Sequence, residues 1–510
     1  MRRTQSWQRL NINMPYQYVI RDLRRQQLTY NPMSIFPPPL TDPEAIAMYF
    51  DRQAPERDRW KRKNRYYHEY IEKLCRFHVP PGSDVLEIGS GTGDLLNALQ
   101  PARGVGVDIS PAMTEIASRK FPHLTFRVGN AEDLPLTEKF DYIILSDVIG
   151  YIPDVQKAFG ELRKITHPRT RIIVTYFNYL WEPILRLGER FGAKMPQPEQ
   201  SWLSQLDIEN LLALVGYECI RKEYKLLLPK RIPLLSTLCN KVLVNLPVFW
   251  KMSLVQLLIA REVGVPRQEA EFSCTVVVPS RNERGNIEDA VRRIPNLGRH
   301  TEIIFVEGNS ADGTEEEIRR VIAAYPEKDI RLVPQGNGRG KGDAVRKGFD
   351  AASGDILMIL DADLTVPPED LPKFFQVIAS GKGEFLNGSR LVYPMQDHAM
   401  RFLNTLGNKF FSLAFTYLLE QRFKDTLCGT KVLFRKDYER IAAGRHDFGV
   451  FDPFGDFDLI FGAAKLDLKI VEIPVRYQQR TYGTTQISRF RHGWMLLKMC
   501  VFAMRKIKFV

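Results

Sequence analysis

The stretch Gly354–Thr365, GDILMILDADLT, decides the fold of the second half of the chain. Its apolar run Ile356–Leu360 predicts a strand buried on both faces, as in a parallel sheet covered by helices. The run ends in Asp361 and Asp363, and Pro367 cannot continue the strand. Ligands of open α/β sheets bind at the carboxyl ends of the strands. We therefore expect the two carboxylates to hold a cation, most naturally a divalent metal on a nucleotide diphosphate; a turn with solvated aspartates is the alternative.

Length and charge limit the classes of protein that fit. The chain has 510 residues and a net charge of +12, with a pI near 9.3. The length predicts two or three domains. The charge suggests an anionic partner, either a nucleotide or a phospholipid surface, whereas nucleic-acid binding is not expected because basic residues are not interleaved with aromatic ones in surface motifs. Six scattered cysteines without a CxxC spacing fit a reducing compartment, and no signal peptide or apolar run of about 20 residues is visible.

Alternating strand and helix patterns appear twice along the chain, beginning at Asp84 and at Cys274. Such alternation predicts parallel sheets, so the fold class is α/β with two doubly wound domains, the first Rossmann-like. The predicted strands of the first domain are Asp84–Ile88, Gly104–Asp108, Leu124–Gly129 and Phe140–Ser146. The predicted organisation is a basic arm at 1–44, a first domain at 45–225, an amphipathic segment and linker at 226–272, a second domain at 273–490 and an amphipathic basic helix at 491–510.

A glycine turn, Gly89–Gly93, separates the first predicted strand from a helix. Such a turn lets backbone N–H groups approach a ligand and aims the helix N-terminus at it. Asp108 closes the second strand, where a carboxylate can bind ribose hydroxyls. The turn differs from G-x-G-x-x-G, which disfavours a dinucleotide. The flanking acids Glu87 and Asp94 suit a sulfonium cation better than a pyrophosphate.

On these residues the first half resembles class I S-adenosylmethionine-dependent methyltransferases, over about 45–225. The loop Gly129–Pro135 is similar to the segment that contacts adenine, and Ser146–Ile152 is similar to the edge of the methyl-acceptor cleft. Many relatives carry a histidine where this chain has Gly150 or Tyr151. The resemblance implies S-adenosyl-L-methionine as cofactor, bound by Glu87, Gly89, Gly91, Gly93, Asp108, Asn130 and Asp133. The methyl acceptor stays open, and a domain that no longer binds the cofactor is the alternative.

The second half resembles family-2 glycosyltransferases with the GT-A fold, over about 273–490, and among them the polyprenyl-phosphate (dolichol-phosphate mannose or glucose) synthases. The matching segments are Val278–Ile287, Ile303–Thr314, Gly338–Ala344, Asp361–Thr365, Gly388–Arg390, Asp425–Lys431, Glu472–Val475 and Arg480–Gln486. The resemblance implies a UDP- or GDP-linked sugar as donor, bound by Pro279, Glu283, Glu307, Asp312, Lys341, Arg390 and Lys431. It makes Asp361 and Asp363 ligands of Mg²⁺ or Mn²⁺, and Arg480 a phosphate contact.

The implied reaction is an inverting displacement at the anomeric carbon, in which the metal and Lys341 stabilise the departing diphosphate. A polyprenyl phosphate acceptor is already an anion and needs no base, whereas a hydroxyl must lose its proton. Asp456 lies where many relatives that act on hydroxyls keep a base, so a hydroxyl of a glycan or small molecule is the alternative acceptor. A further alternative makes one half a non-catalytic binding module.

Two stretches, Lys225–Ala260 and Trp494–Met504, combine apolar side chains with basic ones. The second is too short to span a bilayer but suits the interface, with its basic tail on anionic headgroups. We therefore predict a cytoplasmic bifunctional transferase, peripheral on the cytoplasmic membrane, that acts in cell-envelope glycan assembly. Packing of these stretches on the sheets or in a homo-oligomer is the alternative.

Overall fold

The computed structural model describes residues 42–246, 248–264, 267–338, 340–390, 402–445 and 457–478, with positions 480, 482, 494, 497–502, 504 and 505; at 402–408 only the backbone is described. The predicted basic arm therefore lies almost entirely outside the described residues. In the part of the chain that the structure describes, no helix is both long and apolar enough to cross a membrane.

Two seven-stranded sheets organise the chain. The strands of the first are β1 Asp84–Ile88, β2 Arg103–Asp108, β3 Thr125–Val128, β4 Tyr142–Ser146, β5 Arg171–Phe177, β6 Tyr217–Lys225 and β7 Val255–Glu262. Those of the second are β8 Ser273–Ser280, β9 His300–Glu307, β10 Asp329–Pro334, β11 Ile356–Ile359, β12 Phe385–Ser389, β13 Lys431–Phe434 and β14 Ile470–Pro474. The strand orders are β3-β2-β1-β4-β5-β7-β6 and β10-β9-β8-β11-β13-β12-β14, with β7 and β13 antiparallel to their neighbours. This confirms two α/β domains.

Helices cover the sheets. They are α1 Pro43–Lys63, α2 Arg65–His78, α3 Asp94–Ala98, α4 Pro111–Lys120, α5 Val155–Glu161, α6 Glu182–Arg190, α7 Gln205–Leu214, α8 Ile287–Arg293, α9 Thr314–Ala324, α10 Gly340–Ala351, α11 Leu371–Ala379, α12 Phe402–Leu419, α13 Arg435–Ala443 and α14 Phe457–Lys465. Short helical turns lie at Ile149–Tyr151, Leu162–Lys164, Tyr179–Trp181, Leu235–Thr237, Leu238–Val242, Leu243–Asn245, Trp250–Met252, Glu269–Glu271, Arg284–Asn286 and Pro368–Asp370.

Several helices begin at the residue types that sequence patterns associate with helix starts. Asp42 accepts a hydrogen bond from the backbone of Ala45, and proline follows it at the first position of α1. Ser110 caps α4 in the same way, and Ser204 forms a reciprocal capping box with Asp207 at the start of α7. These local contacts fix the first turns of three helices of the first domain.

Strand β7 corrects the predicted domain boundary. The sequence analysis assigned residues 226–272 to an amphipathic segment and linker, but Val255–Glu262 is inserted between β5 and β6 with antiparallel pairing to both. Its residues are buried except for the last. An inserted strand and an interfacial stretch both consist of consecutive apolar residues, so the pattern alone does not separate them. The first domain therefore extends to the end of β7.

The two domains meet at the amino-terminal ends of their parallel strands. Arg171, which begins β5, contacts Glu384 at 2.7 Å and donates to the backbone carbonyl of Asp467 at 2.8 Å. Glu384 directly precedes β12, and Asp467 lies just before β14. His78, at the end of α2, lies 2.8 Å from the Asp467 carboxylate. Both ligand sites are expected at the carboxyl ends of the strands, so they lie at opposite ends of the molecule. The length of one strand from each sheet, at about 3.3 Å per residue, puts the two sites on the order of 40 Å apart.

Candidate active sites

The glycine turn after β1 lines a cavity at the carboxyl end of the first sheet. Gly89, Gly91 and Gly93 have positive φ angles of 75°, 51° and 78°. A Cβ atom at Gly89 would lie 2.4 Å from Val148, and one at Gly93 2.6 Å from Phe126. Nothing lies within 4 Å of a Cβ at Gly91. Two glycines therefore permit close packing, while Gly91 leaves open space for a ligand.

Asp108 is held at the end of β2 by two backbone N–H groups. Gly91 donates to its Oδ2 at 2.7 Å and Ser110 to its Oδ1 at 2.9 Å. Burial raises the pKa of Asp108, although both hydrogen bonds oppose this shift. Each carboxylate oxygen retains a second lone pair. The carboxylate is thus oriented beside the glycine turn and can accept hydroxyl groups of a ligand.

The two acids that flank the turn are occupied within the protein. Glu87 accepts a hydrogen bond from the backbone of Leu96 at 3.0 Å, and burial raises its pKa. Asp94 lies 2.6 Å from Lys61 and 2.6 Å from Lys120. The sequence suggested that negative charge at these two acids would suit a sulfonium cation. At Asp94 the two lysines largely balance that negative charge.

The loop after β3 places its two predicted residues differently. Asn130 lines the cavity, and its Oδ1 accepts the backbone N–H of Glu132 at 3.0 Å. The backbone N–H of Asp133 donates to the carbonyl of Asn130 at 3.1 Å, which closes the loop. The Asp133 side chain is exposed, and it is not one of the residues that line the cavity. Its predicted contact with adenine stays a prediction.

The same cavity, about 310 Å³ in volume, continues past β4 to an apolar wall made by Phe177, Trp181, Ile184 and Leu185. Asp147 lines this cavity and also an adjoining cavity of about 510 Å³. One space therefore joins the predicted cofactor residues to an apolar region beside α6.

Asp147 and Tyr67 form a buried pair that the sequence analysis did not assign. The Tyr67 hydroxyl donates to Asp147 Oδ2 at 2.6 Å. Asp147 Oδ1 is buried and has no hydrogen-bond partner among the described residues. Burial raises the pKa of Asp147 to about 6. Because Asp147 directly follows β4, the sequence could have indicated it as a site residue. Nothing in the sequence indicated that Tyr67, from α2, lies beside it.

Asp361 follows β11 and forms an ion pair with Lys341, from the first turn of α10, at 2.5 Å. Burial alone would raise the pKa of Asp361, but the Lys341 ammonium holds it below its ordinary value. A Cβ atom at Gly429 would lie 2.0 Å from Asp361 Oδ2 and 2.4 Å from Lys341 Nζ. The backbone at Gly429 therefore packs directly against this pair.

Asp363 has a second cation beside it. Arg480 Nη2 lies 2.6 Å from Asp363 Oδ2, and Arg480 Nη1 lies 3.3 Å from Glu283. The Thr365 hydroxyl donates to Asp363 Oδ1 at 2.8 Å. No group of three or more His, Cys, Asp or Glu side chains suited to a metal occurs in the described ranges. The two aspartates are hard oxygen donors that fit Mg²⁺ or Mn²⁺, with further ligands from a diphosphate or water.

Three other predicted residues shape the loops around this end of the second sheet. Glu307 accepts backbone N–H groups of Asn309 at 3.0 Å and Ser310 at 2.6 Å. Asp312 accepts from the backbone and hydroxyl of Thr314 at the start of α9. Pro279 lies in β8, paired with β9. Their carboxylates and backbone thus organise the predicted donor site.

Arg390 and Lys431 are bound by protein groups. Arg390 makes a bidentate contact with Asp425 at 2.7 and 2.8 Å. Lys431 is fully buried and donates to the backbone carbonyl of Cys428. These contacts give both cations a structural task that the sequence motifs did not indicate. Asp456 lies outside the described residues, so its role as a base stays a prediction.

Two family models match separate parts of the chain. Residues 59–222 match the model described as a methyltransferase domain, and residues 275–441 match glycosyl transferase family 2. The chain joins a methyltransferase domain to a family 2 glycosyltransferase domain. The first match contains the glycine turn, Asp108 and Asp147, and the second contains Asp361 and Asp363.

Known relatives resemble the glycosyltransferase domain. A dolichol-phosphate mannosyltransferase from Pyrococcus furiosus is 30% identical over 234 residues, 44% of this chain and 63% of the relative. One from Saccharomyces cerevisiae is 39% identical over 107 residues, 20% of this chain and 39% of the relative. The chain thus spans less than two thirds of either. A solved structure that resembles the methyltransferase domain is the magnesium protoporphyrin IX methyltransferase from Synechocystis PCC 6803 with bound SAH. The match covers 43% of this chain and 100% of the solved one, at 19% identity and a TM-score of 0.32.

Proposed function

We propose that the chain catalyses two group transfers. The glycosyltransferase domain moves a sugar from a UDP- or GDP-linked donor to a polyprenyl phosphate, and the methyltransferase domain uses S-adenosyl-L-methionine. The observation that carries the glycosyl transfer is the pair of ion pairs Lys341–Asp361 and Arg480–Asp363 at the end of β11. Charges of both signs are assembled there, as recognition of a metal-bound diphosphate requires.

Asp361 and Asp363 would hold the divalent metal, Mg²⁺ or Mn²⁺. When bound, the metal stabilises negative charge on the departing diphosphate. Lys341 and Arg480 would then donate to oxygens of the diphosphate instead of to the aspartates. Hydrogen bonds between charged donors and anionic oxygens are stronger than hydrogen bonds between neutral groups. Glu283, which already contacts Arg480, orients that guanidinium.

A phosphate acceptor suits this site because it is already an anion and needs no base. Two of the relatives that resemble this domain are named dolichol-phosphate mannosyltransferases, which favours a polyprenyl phosphate. The long apolar chain of such an acceptor places the reaction at a membrane surface. We therefore propose a peripheral location on the cytoplasmic membrane.

For the methyltransferase domain, the residues present fit S-adenosyl-L-methionine. Gly91 leaves room at the turn, and Asp108 can accept ribose hydroxyls. Arg57 lines the cavity, and its hydrogen-bond partner among the described residues is the thioether sulfur of Met195 at 3.7 Å rather than a carboxylate. Its guanidinium would bind the carboxylate of the cofactor.

A transfer assay tests the glycosyltransferase activity. Full-length protein receives polyprenyl phosphate, Mg²⁺ or Mn²⁺ and a panel of UDP- and GDP-sugars, and the lipid phase is analysed by mass spectrometry. We expect a metal-dependent glycolipid that disappears in Asp363→Ala and persists in Asp329→Ala, an exposed carboxylate paired with His300. Binding of a nucleotide sugar without any lipid product would reject the phosphate acceptor.

Calorimetry with S-adenosylhomocysteine tests the other domain. Asp108→Asn should weaken binding at least about tenfold, because a charged acceptor of hydroxyl groups contributes about 1.5–3 kcal/mol. Glu115→Gln on the exposed surface of α4 should bind like the wild type. Equal affinity of all three proteins would reject the proposed role of Asp108, and no binding to any would reject the cofactor.

A further inference from the structure

The cavity of the first domain has a lining that indicates the class of the methyl acceptor. The cavity is lined by Gly89 and Gly91 of the glycine turn, by Asp147 and by the wall formed by Trp181, Ile184 and Leu185. Pro229 and Lys230 line the same cavity from a distant part of the chain. The cavity is thus lined in part by α6 and by the segment that precedes β7.

These two segments also carry a broad apolar surface. We call it the lipid face and define it as residues 179–191 and 229–252, excluding position 247. Its large exposed apolar side chains are Tyr179, Leu180, Ile184, Leu187, Phe191, Ile232, Leu234, Leu235, Leu238, Val242, Leu246, Val248, Phe249 and Met252. The Trp181 indole donates to the carbonyl of Met252 at 2.7 Å, so the two segments touch.

The charge of this surface favours a lipid bilayer as the occupant. Residues 226–254 contain no Asp or Glu and four cations, Lys230, Arg231, Lys241 and Lys251. The other segment of the lipid face, 179–191, carries two acids, Glu182 and Glu189, which pair with Arg186 and Lys194. The segment 229–252 therefore gives the lipid face its net positive charge, and apolar side chains mixed with cations match the boundary of an anionic bilayer. The surface continues to the glycosyltransferase domain, where the Tyr417 hydroxyl donates to the carbonyl of Asn245.

Lys230 lines the cavity at the lipid face, and Lys63 lies close enough to repel it. Lys230 donates to Asn64 Oδ1 at 2.8 Å, and Lys63 donates to the carbonyl of Gly192. Neither has a carboxylate partner among the described residues. Burial, with repulsion from Lys63, lowers the pKa of Lys230. An anionic group at this mouth would relieve that repulsion, and phosphate is the anion that lipids carry there.

Asp147, which lines the same cavity, supplies the remaining element, a buried carboxylate oxygen without a hydrogen-bond partner among the described residues. Tyr67 fixes one oxygen and leaves Oδ1 for another donor. Charged and titratable groups on the neighbouring elements that act on Asp147 are Arg57, Tyr67, Cys75, Tyr151, Tyr176 and Lys194. None of these groups is a carboxylate. We therefore expect Oδ1 to accept a hydrogen bond from a hydroxyl group of the ligand.

We propose that the methyl acceptor is a membrane lipid bearing a phosphate and a free hydroxyl, with Asp147 as the base. This inference rests on the proposed methyl transfer from S-adenosyl-L-methionine. The carbon–sulfur bond breaks with its electron pair left on sulfur, the hydroxyl oxygen forms the new bond to the methyl carbon, and the hydroxyl proton moves to Asp147 Oδ1. The lipid chain lies on the lipid face and the phosphate beside Lys63 and Lys230.

Two lipids share this chemistry. One is a glycosylated polyprenyl phosphate, the proposed product of the other domain, which carries sugar hydroxyls beyond its phosphate. The other is a phospholipid with a hydroxylated headgroup, such as phosphatidylglycerol. Because the two sites lie at opposite ends of the molecule, a lipid would pass between them by diffusion in the bilayer rather than through the protein.

The test uses full-length protein, tritiated S-adenosyl-L-methionine and phosphatidylcholine vesicles. The vesicles contain glycosylated polyprenyl phosphate, phosphatidylglycerol or neither, and tritium is counted in the lipid phase. Label with the first or the second addition supports the proposal and identifies the source of the lipid. No label with either, while calorimetry shows that the cofactor binds, overturns the acceptor class but leaves the proposed methyl transfer intact. Absent cofactor binding would overturn both.

Variants test the base. Asp147→Asn keeps the side-chain shape and should lower methylation at least about a hundredfold, as loss of a general base does, while calorimetry should still show that the cofactor binds. The wild-type rate should rise with pH through about 6, because the base must be ionised. Tyr67→Phe removes a hydrogen bond that lowers the pKa of Asp147, so the rise should move to higher pH. An unshifted profile would overturn the role of the pair.

A second readout concerns the mouth of the cavity. Lys230→Glu should reduce co-sedimentation with vesicles that contain the phosphate lipid and should raise the KM for it. Arg119→Glu makes the same charge change on α4, where the side chain is 71% exposed and contacts only Glu115 among the described residues. Equal loss in both variants would show a general charge effect and overturn the proposed phosphate contact.

Discussion

Asp467 contacts the methyltransferase domain through a buried cluster of charges, formed with His78 and Arg221. Its carboxylate is fully buried and lies 2.8 Å from His78 Nδ1 and 3.1 Å from Arg221 Nε, both from the methyltransferase domain. The second contact is an ion pair without hydrogen-bond geometry. Asp467→Ala would leave the Arg221 guanidinium buried without this counter-charge, and removing one partner of a buried pair typically costs about 3–5 kcal/mol.

The surroundings place the expected loss toward the lower end of that range. Arg221 also lies 3.3 Å from Glu223 and donates to the carbonyl of Ala464 at 2.8 Å, so part of its charge stays compensated. We expect Asp467→Ala to lower the free energy of unfolding by about 3 kcal/mol. Asp467→Asn keeps the shape and an acceptor for His78, so it should lower it less.

Scanning calorimetry and tryptophan fluorescence measure this effect. Four of the six tryptophans, Trp60, Trp181, Trp202 and Trp250, lie in the methyltransferase domain, so fluorescence mainly follows its unfolding. The wild type should unfold in one transition because the domains stabilise each other. Asp467→Ala should split the transition in two and lower the Tm of the first.

An exposed ion pair supplies the control. Glu315→Ala breaks a pair with Arg319 on the surface of α9 and should change stability by no more than about 0.5 kcal/mol. If Asp467→Ala and Glu315→Ala lower the Tm equally, the buried cluster does not hold the domains together and the reasoning is refuted.

Three further outcomes are expected. Gly429→Ala, whose Cβ would lie 2.0 Å from Asp361 Oδ2, should lower glycosyl transfer about a hundredfold without changing cofactor binding, because small displacements at a reacting site are costly. At acid pH the single calorimetric transition of the wild type should split into two. Burial alone would raise the pKa values of Glu384 and Asp467, but their cationic partners hold both below their ordinary values. The stability that these ion pairs contribute is therefore present above pH about 4, and it is lost as the pH falls through the pKa values of the folded protein. Gly150→His, with a Cβ 2.0 Å from the Tyr176 hydroxyl, should lower the Tm of the methyltransferase domain rather than restore a missing base.

Each of these outcomes has a control. Gly444→Ala meets nothing closer than 3.7 Å and should transfer sugar like the wild type. Asp467→Asn removes one ionisable group and should reduce the acid dependence. Glycosyl transfer should be unchanged in Gly150→His. Full activity of Gly429→Ala, a single transition at pH 3, or a stable Gly150→His would contradict the corresponding argument.

Local sequence patterns determined most of the fold. Runs of consecutive apolar residues predicted the buried strands of the first domain, and residues of fixed spacing predicted the glycine turn and the acids after β11. These features depend on neighbours a few residues away, because burial on two faces and left-handed backbone are requirements of the local chain. The placement of Asp108, Asp361 and Asp363 at carboxyl ends follows from strand direction alone.

Tertiary structure decided what those residues contact. Tyr67 meets Asp147 across 80 positions of sequence, and Arg390 meets Asp425 across 35. Strand β7 enters the sheet between β5 and β6 although its composition equally suits a membrane surface. The back-to-back arrangement of the domains depends on charges contributed by both. Such contacts depend on which surfaces pack together, and a pattern along one segment carries no information about its partner.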